Sequence, residues 1–306
     1  MKFKNNTWLI IASFFAIYIF WGATYLFNKV GVMQEIPPFL WVGIRFVIAG
    51  ILLFIIAHFS KNTLPSRSEI KNAIIAGILL ITLGNGLLVW VLKYVDSGFV
   101  AMAFASQPLI ILLLMRLLYR KRIQTKSWVG IFLGVLGMYL LINQGSLNIL
   151  HQQKWVLAVL LCSITAWSLG LIFVSRTKSK NSHNTFYWVS GVQMFSAGSI
   201  LLLISLLIEK PNFNELNINT DVIVSMLFLI IFGSLIAYLA FNYLLKYVAP
   251  HKVSTQALVN PIVAVLLGAI FLKEEFTMQS VIASTILLTG SYFINSTKNE
   301  PDYKEK

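Results

Sequence analysis

The chain has 306 residues, of which 58% are hydrophobic and only 11% charged, and its formal net charge is +13. A soluble domain carries about 25% charged residues, so a water-solvated fold of this composition would leave too much apolar surface in contact with water; lipid is the solvent the composition implies. A single cysteine, Cys162, inside an apolar run excludes a disulfide framework and a cysteine metal cluster.

The apolar runs, in chain order, cover residues 8–28, 39–59, 72–92, 98–118, 127–143, 155–175, 186–208, 222–245, 253–272 and 279–296. A bilayer core of about 30 Å takes roughly 20 helical residues, so each is read as a membrane span. The period-two alternation of barrel strands is absent, which makes the spans helices. The first run is too long for a signal peptide and no small-residue cleavage site ends it, so it is expected to be a retained helix. The fifth is short and would cross nearly upright or thin the bilayer. The division between the third and fourth rests on the tight connection "KYVDSG".

The excess of basic residues invites a nucleic-acid reading, and its distribution removes it. With the spans alternating sides, eighteen Lys and Arg residues fall on the side of the N-terminus, five on the other (Lys29, Lys93, Lys154, Lys210 and Lys273), and Arg45 inside a span. This is the positive-inside bias, and it places both termini in the cytoplasm. The partners expected are therefore a bilayer and a small molecule, not nucleic acid.

The segment "LKYV" occurs at Leu92–Val95 and again at Leu245–Val248. At an offset of 153 residues, Gln107–Pro108 falls on Asn260–Pro261, Gly137 on Gly290 and Tyr139 on Tyr292, without a gap. Near the start the offset is 146, pairing Trp21 with Trp167 and Phe27 with Phe173. The chain thus divides into a five-helix repeat at 1–146, a second at 147–298 and a cytoplasmic tail at 299–306. Five is odd, so the second repeat enters the membrane from the opposite side. Inverted repeats of this kind are common in secondary transporters, whose substrate site lies near the midplane between halves. Duplication without alternating access, as in a channel, is the competing reading.

Three segments, "FWGATYLFNKVGV", "PPFLWVGIRFVIAG" and "VSTQALVNPIVAVLLGAIFLKEEF", resemble the drug/metabolite transporter superfamily, EamA type. The likeness runs over essentially the whole chain. It implies a ten-helix, five-plus-five permease that moves small metabolites, often exporting amino acids or drugs, through a central cavity. One departure stands out. The family often has an acidic residue at the cytoplasmic end of the fourth helix, matching the acid after the ninth; here Glu274 and Glu275 follow the ninth, but Lys121 and Arg122 hold the matching positions.

Polar groups inside spans face a cavity or another helix. Arg45 lies seven residues past Pro38, about 10 Å down its helix at 1.5 Å per residue. It attracts a substrate carboxylate in the cavity, snorkels to the outer interface, or caps carbonyls of a neighbouring helix. Asn85, Gln107, Asn242, Gln256 and Asn260 either hydrogen-bond a zwitterion or join helix to helix. Trp21 and Trp167, with Tyr25 and Tyr238, either stack on substrate or pack the core. Pro108 and Pro261 each remove a helix hydrogen bond and mark a gate or a static kink. Gly22, Gly84, Gly86, Gly170 and Gly233 are expected to admit close helix contacts. Helices one, three, four, six, eight and nine are expected to surround the cavity.

All eleven acidic residues and all four histidines fall in loops, tails or span edges. Proton coupling through a midplane carboxylate is therefore not supported, and uniport or exchange fits better, with Asp96 and Glu274–Glu275 as the fallback. No constellation suggests catalysis, a metal or a cofactor. The expectation is an all-α integral membrane protein with two inverted repeats. It would be a multi-pass transporter of the inner or plasma membrane, monomer or homodimer, exporting amino acids or related compounds, or drugs, by alternating access. A channel-like facilitator or a lipid or solute flippase is the alternative.

Overall fold

The computed structural model describes residues 7–120, 125–142, 154–177, 185–248, 250–253, 255–274 and 277–296. Among the described residues every regular element is a helix. Numbered as continuous rods, these are α1 Thr7–Met33, α2 Pro38–Phe59, α3 Arg67–Val91, α4 Ser97–Tyr119 and α5 Thr125–Ile142. The second half contributes α6 Lys154–Arg176, α7 Phe186–Glu209, α8 Thr220–Tyr247, α9 Gln256–Leu272 and α10 Met278–Ser296, with a short turn at Pro250–Val253 before α9. Among the described residues, seven rods are long and apolar enough to cross a membrane. In α5, α9 and α10 the apolar stretch is shorter: Ser127–Gly137, Gln256–Leu272 and Val281–Phe293. The expected ninth span, from residue 253, is interrupted before Gln256, which accounts for its shortfall.

The rods begin and end for local reasons. Pro38 opens α2 at a position where its missing N–H costs nothing. Ser66 and Glu69 form a reciprocal capping box at the start of α3. Arg120 and Lys273, which are 153 residues apart, close α4 and α9 in the left-handed conformation, at φ 51° and 55°. Midway along, α3 and α8 widen into π-helical turns at Ile78–Gly86 and Leu229–Ile236. Such turns free backbone carbonyls and often occur at functional sites.

The two halves pack through matching pairs. α2 lies against α7 and α5 against α10; α1 packs on α8 and α9, as α6 packs on α3 and α4. Glycine permits the closest approaches. The stretch "GIRFVIAG" at 43–50 reads as "GVQMFSAG" at 191–198. A Cβ on Gly198 would lie 2.9 Å from Gly43 O, and one on Gly191 3.3 Å from Gly50 O. Likewise a Cβ on Gly137 would meet Leu287 at 2.7 Å, and one on Gly290 would meet Gly130 O at 2.7 Å.

One end of the bundle is tied by side chains to helix termini. Glu274, beyond α9, accepts from Ser97 N at 2.8 Å, Ser97 Oγ at 2.7 Å and Gly98 N at 3.1 Å, which caps α4. Lys29 Nζ donates to Leu92 O and Val95 O, both at 2.9 Å. Glu209 accepts from Phe39 N at 3.0 Å and Leu40 N at 3.2 Å, capping α2. A carboxylate at a helix N-terminus satisfies orphan amides and opposes the positive end of the helix dipole. Glu275, Lys121 and Arg122 lie outside the described residues.

Candidate functional site

A cavity with about 650 Å³ of free space, part of it open to solvent, lies between the halves. Trp21, Tyr25, Arg45, Asn85, Gln107, Trp167, Tyr238, Gln256, Asn260 and Pro261 line it, which brings together residues spread over 240 positions of sequence. Its wall comes from α1, α2, α3, α4, α6, α8 and α9, so α2 joins the helices expected. Asn242 and Pro108 do not line it. Asn242 faces a second cavity, and Pro108 sits at the start of a restarted segment, Gln107–Tyr119, where a proline disturbs no helical hydrogen bond.

Arg45 is 2% exposed. Its Nε donates to Ser234 Oγ at 2.8 Å, in the π-helical turn of α8, and its guanidinium carbon lies 4.6 Å from the Phe46 ring centroid. Gly233 makes room for it, since a Cβ there would lie 2.7 Å from Nη2. Nη1 is buried without a hydrogen-bond partner. Arg45 therefore does not snorkel: it is held by one nitrogen and offers another.

Other orphaned groups converge on the same space. Tyr238 OH, Gln107 Nε2, Gln256 Oε1 and Asn85 Oδ1 are buried without partners, and all four residues are on the cavity wall. Leaving a buried polar group unpaired costs about 1–3 kcal/mol each, more for a charged one. Each such group takes a partner from outside the cavity wall, either water or solute. The set offers donors to an anion from Arg45 and Gln107, a hydroxyl from Tyr238, and carbonyl acceptors from Asn85 and Gln256.

The amides of the repeated pair have separate fates. Asn260, with its amide nitrogen facing α1, lies 3.0 Å from Ile17 O, 3.0 Å from Tyr18 O and 3.3 Å from Gln256 O. It joins α9 to α1. Gln107, its counterpart in the first half, keeps Nε2 free for the cavity.

Trp21 and Trp167 meet edge to face with centroids 5.6 Å apart, and Trp21 Nε1 donates to Gly233 O at 3.0 Å. This bond takes up a carbonyl in the widened turn of α8. Ser163 Oγ does the same for Gly84 O in α3, at 2.5 Å. Gly84 and Gly170 also admit neighbours closely, Trp167 at 2.9 Å and Leu80 at 2.7 Å from the Cβ each lacks. The aromatic pair thus both packs the interface and forms the cavity wall. Sequence reasoning missed Thr24, Phe46, Leu88, Ala101, Phe104 and Ala257, which are apolar or small and give no signal until the helices are assembled. Ser234, which positions Arg45, is equally silent in sequence.

The profile of the EamA-like transporter family matches residues 7–143 and again 153–296. The chain belongs to the EamA-like transporter family. The "Uncharacterized inner membrane transporter YedA" of Escherichia coli (strain K12) is 32% identical over 261 residues, covering 85% of this chain and 81% of that protein. The "Uncharacterized transporter YvbV" of Bacillus subtilis (strain 168) is 26% identical over 299 residues, covering 97% of this chain and 93% of the relative. A solved crystal structure superposes with TM-score 0.65 at 16% identity, over 94% of this chain and 96% of that one, and this likeness shows the fold alone. The protein is a multi-pass helical membrane transporter.

Proposed function

We propose that this transporter carries a small organic solute bearing a carboxylate, amino acids and related metabolites first, by alternating access through the cavity between its halves. The observation that carries the reading is Arg45: a buried guanidinium, fixed through Nε to Ser234, with Nη1 unpartnered on the cavity wall. A charge in such a place is expensive unless it has work to do. A carboxylate would neutralise it and take a further donor from Gln107 or Tyr238, while Asn85 and Gln256 offer carbonyls to an amine.

The matched helix pairings, the two family matches and the paired π-helical turns support an inverted repeat of five plus five helices. The capping contacts of Glu274 and Lys29 tie α1, α3, α4 and α9 at one end, as a closed gate would. By the distribution of basic residues this end faces away from the cytoplasm, with both termini inside. The inner membrane follows from the named relative.

The test is thermal stability of purified protein with butyrate, butylammonium, norvaline and butyramide. Ligand that binds the folded state raises the midpoint with the logarithm of concentration over affinity. Stabilisation by the two carboxylates that disappears in Arg45→Ala is expected. Stabilisation equal in wild type and variant, or none by any carboxylate, would refute the role given to Arg45.

A further inference from the structure

The second cavity lies wholly outside the first, between the beginning of α3, the ends of α6 and α8, and the beginning of α7. It has about 690 Å³ of free space, part of it open to solvent. Its wall combines the apolar Val174, Val189 and Leu245 with Ser190, Gln193 and Asn242. Glu69 and Lys246 also line it.

The equivalent place in the first half is filled. At an offset of 148, Trp41 matches Val189, Val42 matches Ser190 and Arg45 matches Gln193. At 153, Val89 matches Asn242, and at 146, Gly31 matches Thr177. Trp41 is 1% exposed and packs on Gly31, where a Cβ would lie 2.5 Å from its ring. Val89 is fully buried in the same core cluster. The second half therefore has valine where the first has its plugging tryptophan, and a hydroxyl and an amide where the first half has valines. Among the described residues no side chain takes the place of Trp41, and an aromatic-sized space left unfilled sacrifices packing, so the difference favours an occupant.

The polar floor indicates its chemistry. Asn242 Nδ2 donates to Ser190 Oγ at 3.1 Å and Gln193 Oε1 at 3.2 Å, with Ser190 and Gln193 themselves 1% and 4% exposed. Asn242 Oδ1 is buried with no partner. The free function is thus an acceptor. Glu69 on the same wall is already engaged, accepting from Ser66 N at 2.8 Å, Ser66 Oγ at 2.9 Å and Thr185 Oγ1 at 3.1 Å, so the acceptor left for a ligand is Asn242 Oδ1.

We propose that this cavity is a second binding site, for a solute with a protonated amine, which donates to Asn242 Oδ1 while its apolar part lies against Val174, Val189 and Leu245. Tyr238, on the wall of the central cavity, Asn242 and Lys246 follow one another at four-residue steps along α8, so the two cavities share one stripe of that helix. As a staging site for the transported solute the proposal rests on the reading of the central cavity; as a binding site it stands alone.

The test uses full-length Cys162→Ser protein carrying Val189→Cys, labelled by a water-soluble maleimide. Butylammonium is expected to slow labelling at least fivefold, butyrate to leave it unchanged, and Asn242→Leu to abolish the protection. A Val189→Cys thiol that does not react, equal protection by butyrate, or protection that survives Asn242→Leu would overturn the proposal. Should Val189→Cys not fold, Val174→Cys on the opposite wall serves in the same assay with the same outcomes. The central site is scored separately by its carboxylate response, so either site can fail without the other.

Discussion

The two halves of this transporter share a fold and differ in what they leave open. In the first half Trp41 seals the crevice beside α2, and Arg45 reaches instead into the space between halves, where Ser234 holds it. In the second half Val189 leaves the crevice open among the described residues, and Gln193 lines it and accepts from Asn242. The same contrast holds for the amides before the paired prolines: Asn260 is consumed by carbonyls of α1, while Gln107 remains available. Differences at a few matched positions decide which polar atoms are spent on helix contacts and which are left without a partner.

The comparison can be broken most strongly at the paired midspan π-helical turns of α3 and α8. Gly233→Ala drives a Cβ against Arg45 Nη2, at 2.7 Å, and Thr24 Cγ2, at 2.8 Å, whereas Gly84→Ala drives one against Trp167. The first is expected to lower affinity for a carboxylate roughly tenfold, the effect of disturbing a charged hydrogen bond worth about 1.5 kcal/mol. The second is expected to cost about 1–3 kcal/mol of stability through overpacking, with affinity in the folded fraction retained. Binding curves and thermal melts on both variants separate these outcomes; the reverse assignment would mean that Gly233 serves packing alone.

A smaller effect distinguishes the prolines. Pro261 stands inside its helix, while Pro108 stands at the start of a new segment after the turn at residues 105–106. Pro261→Ala is expected to slow turnover severalfold and leave binding nearly intact, and Pro108→Ala to change neither. Single-turnover flux from liposomes decides it, and equal rates in both variants would make the second kink architectural.

The smallest effect is at the capped end. Burial, and then the neighbouring Glu274, raise the Asp96 carboxyl above its usual value of 3.8, with Lys29 opposing. A raised carboxyl is more protonated folded than unfolded, so this group favours the folded state below its ordinary range and penalises it as pH rises past the folded value. Asp96→Asn is therefore expected to raise the melting temperature by a degree or two at pH 7, and the gain should shrink in acid. A lower melting temperature at neutral pH would show that Asp96 stabilises this end through its charge.

Much of this was legible in the chain, and the limits have physical causes. Hydropathy located the rods because lipid imposes a length on each. The "LKYV" repeat and the paired prolines anticipated the matched packing, since equivalent helices must bury equivalent faces. Arg45, Trp21, Trp167 and Tyr238 line one cavity, in keeping with the few places a polar or large aromatic side chain deep in a span can go. Asn242, expected at the central cavity, lines the second one instead, because α8 touches both and only its rotation decides which one a residue faces. The π-helical turns, Ser234 and the unplugged crevice were invisible: each depends on the fit of one half against the other, which composition and spacing do not encode.

The most direct test of the central claim is counterflow in proteoliposomes loaded with norvaline, comparing entry of labelled norvaline with its amide in wild type and in Arg45→Gln, which copies the residue of the second half. Alternating access with carboxylate recognition predicts saturable exchange of norvaline in the wild type, and at least a tenfold loss in the variant for the acid but not for the amide. Flux that rises linearly with concentration, or falls equally for acid and amide, would contradict it.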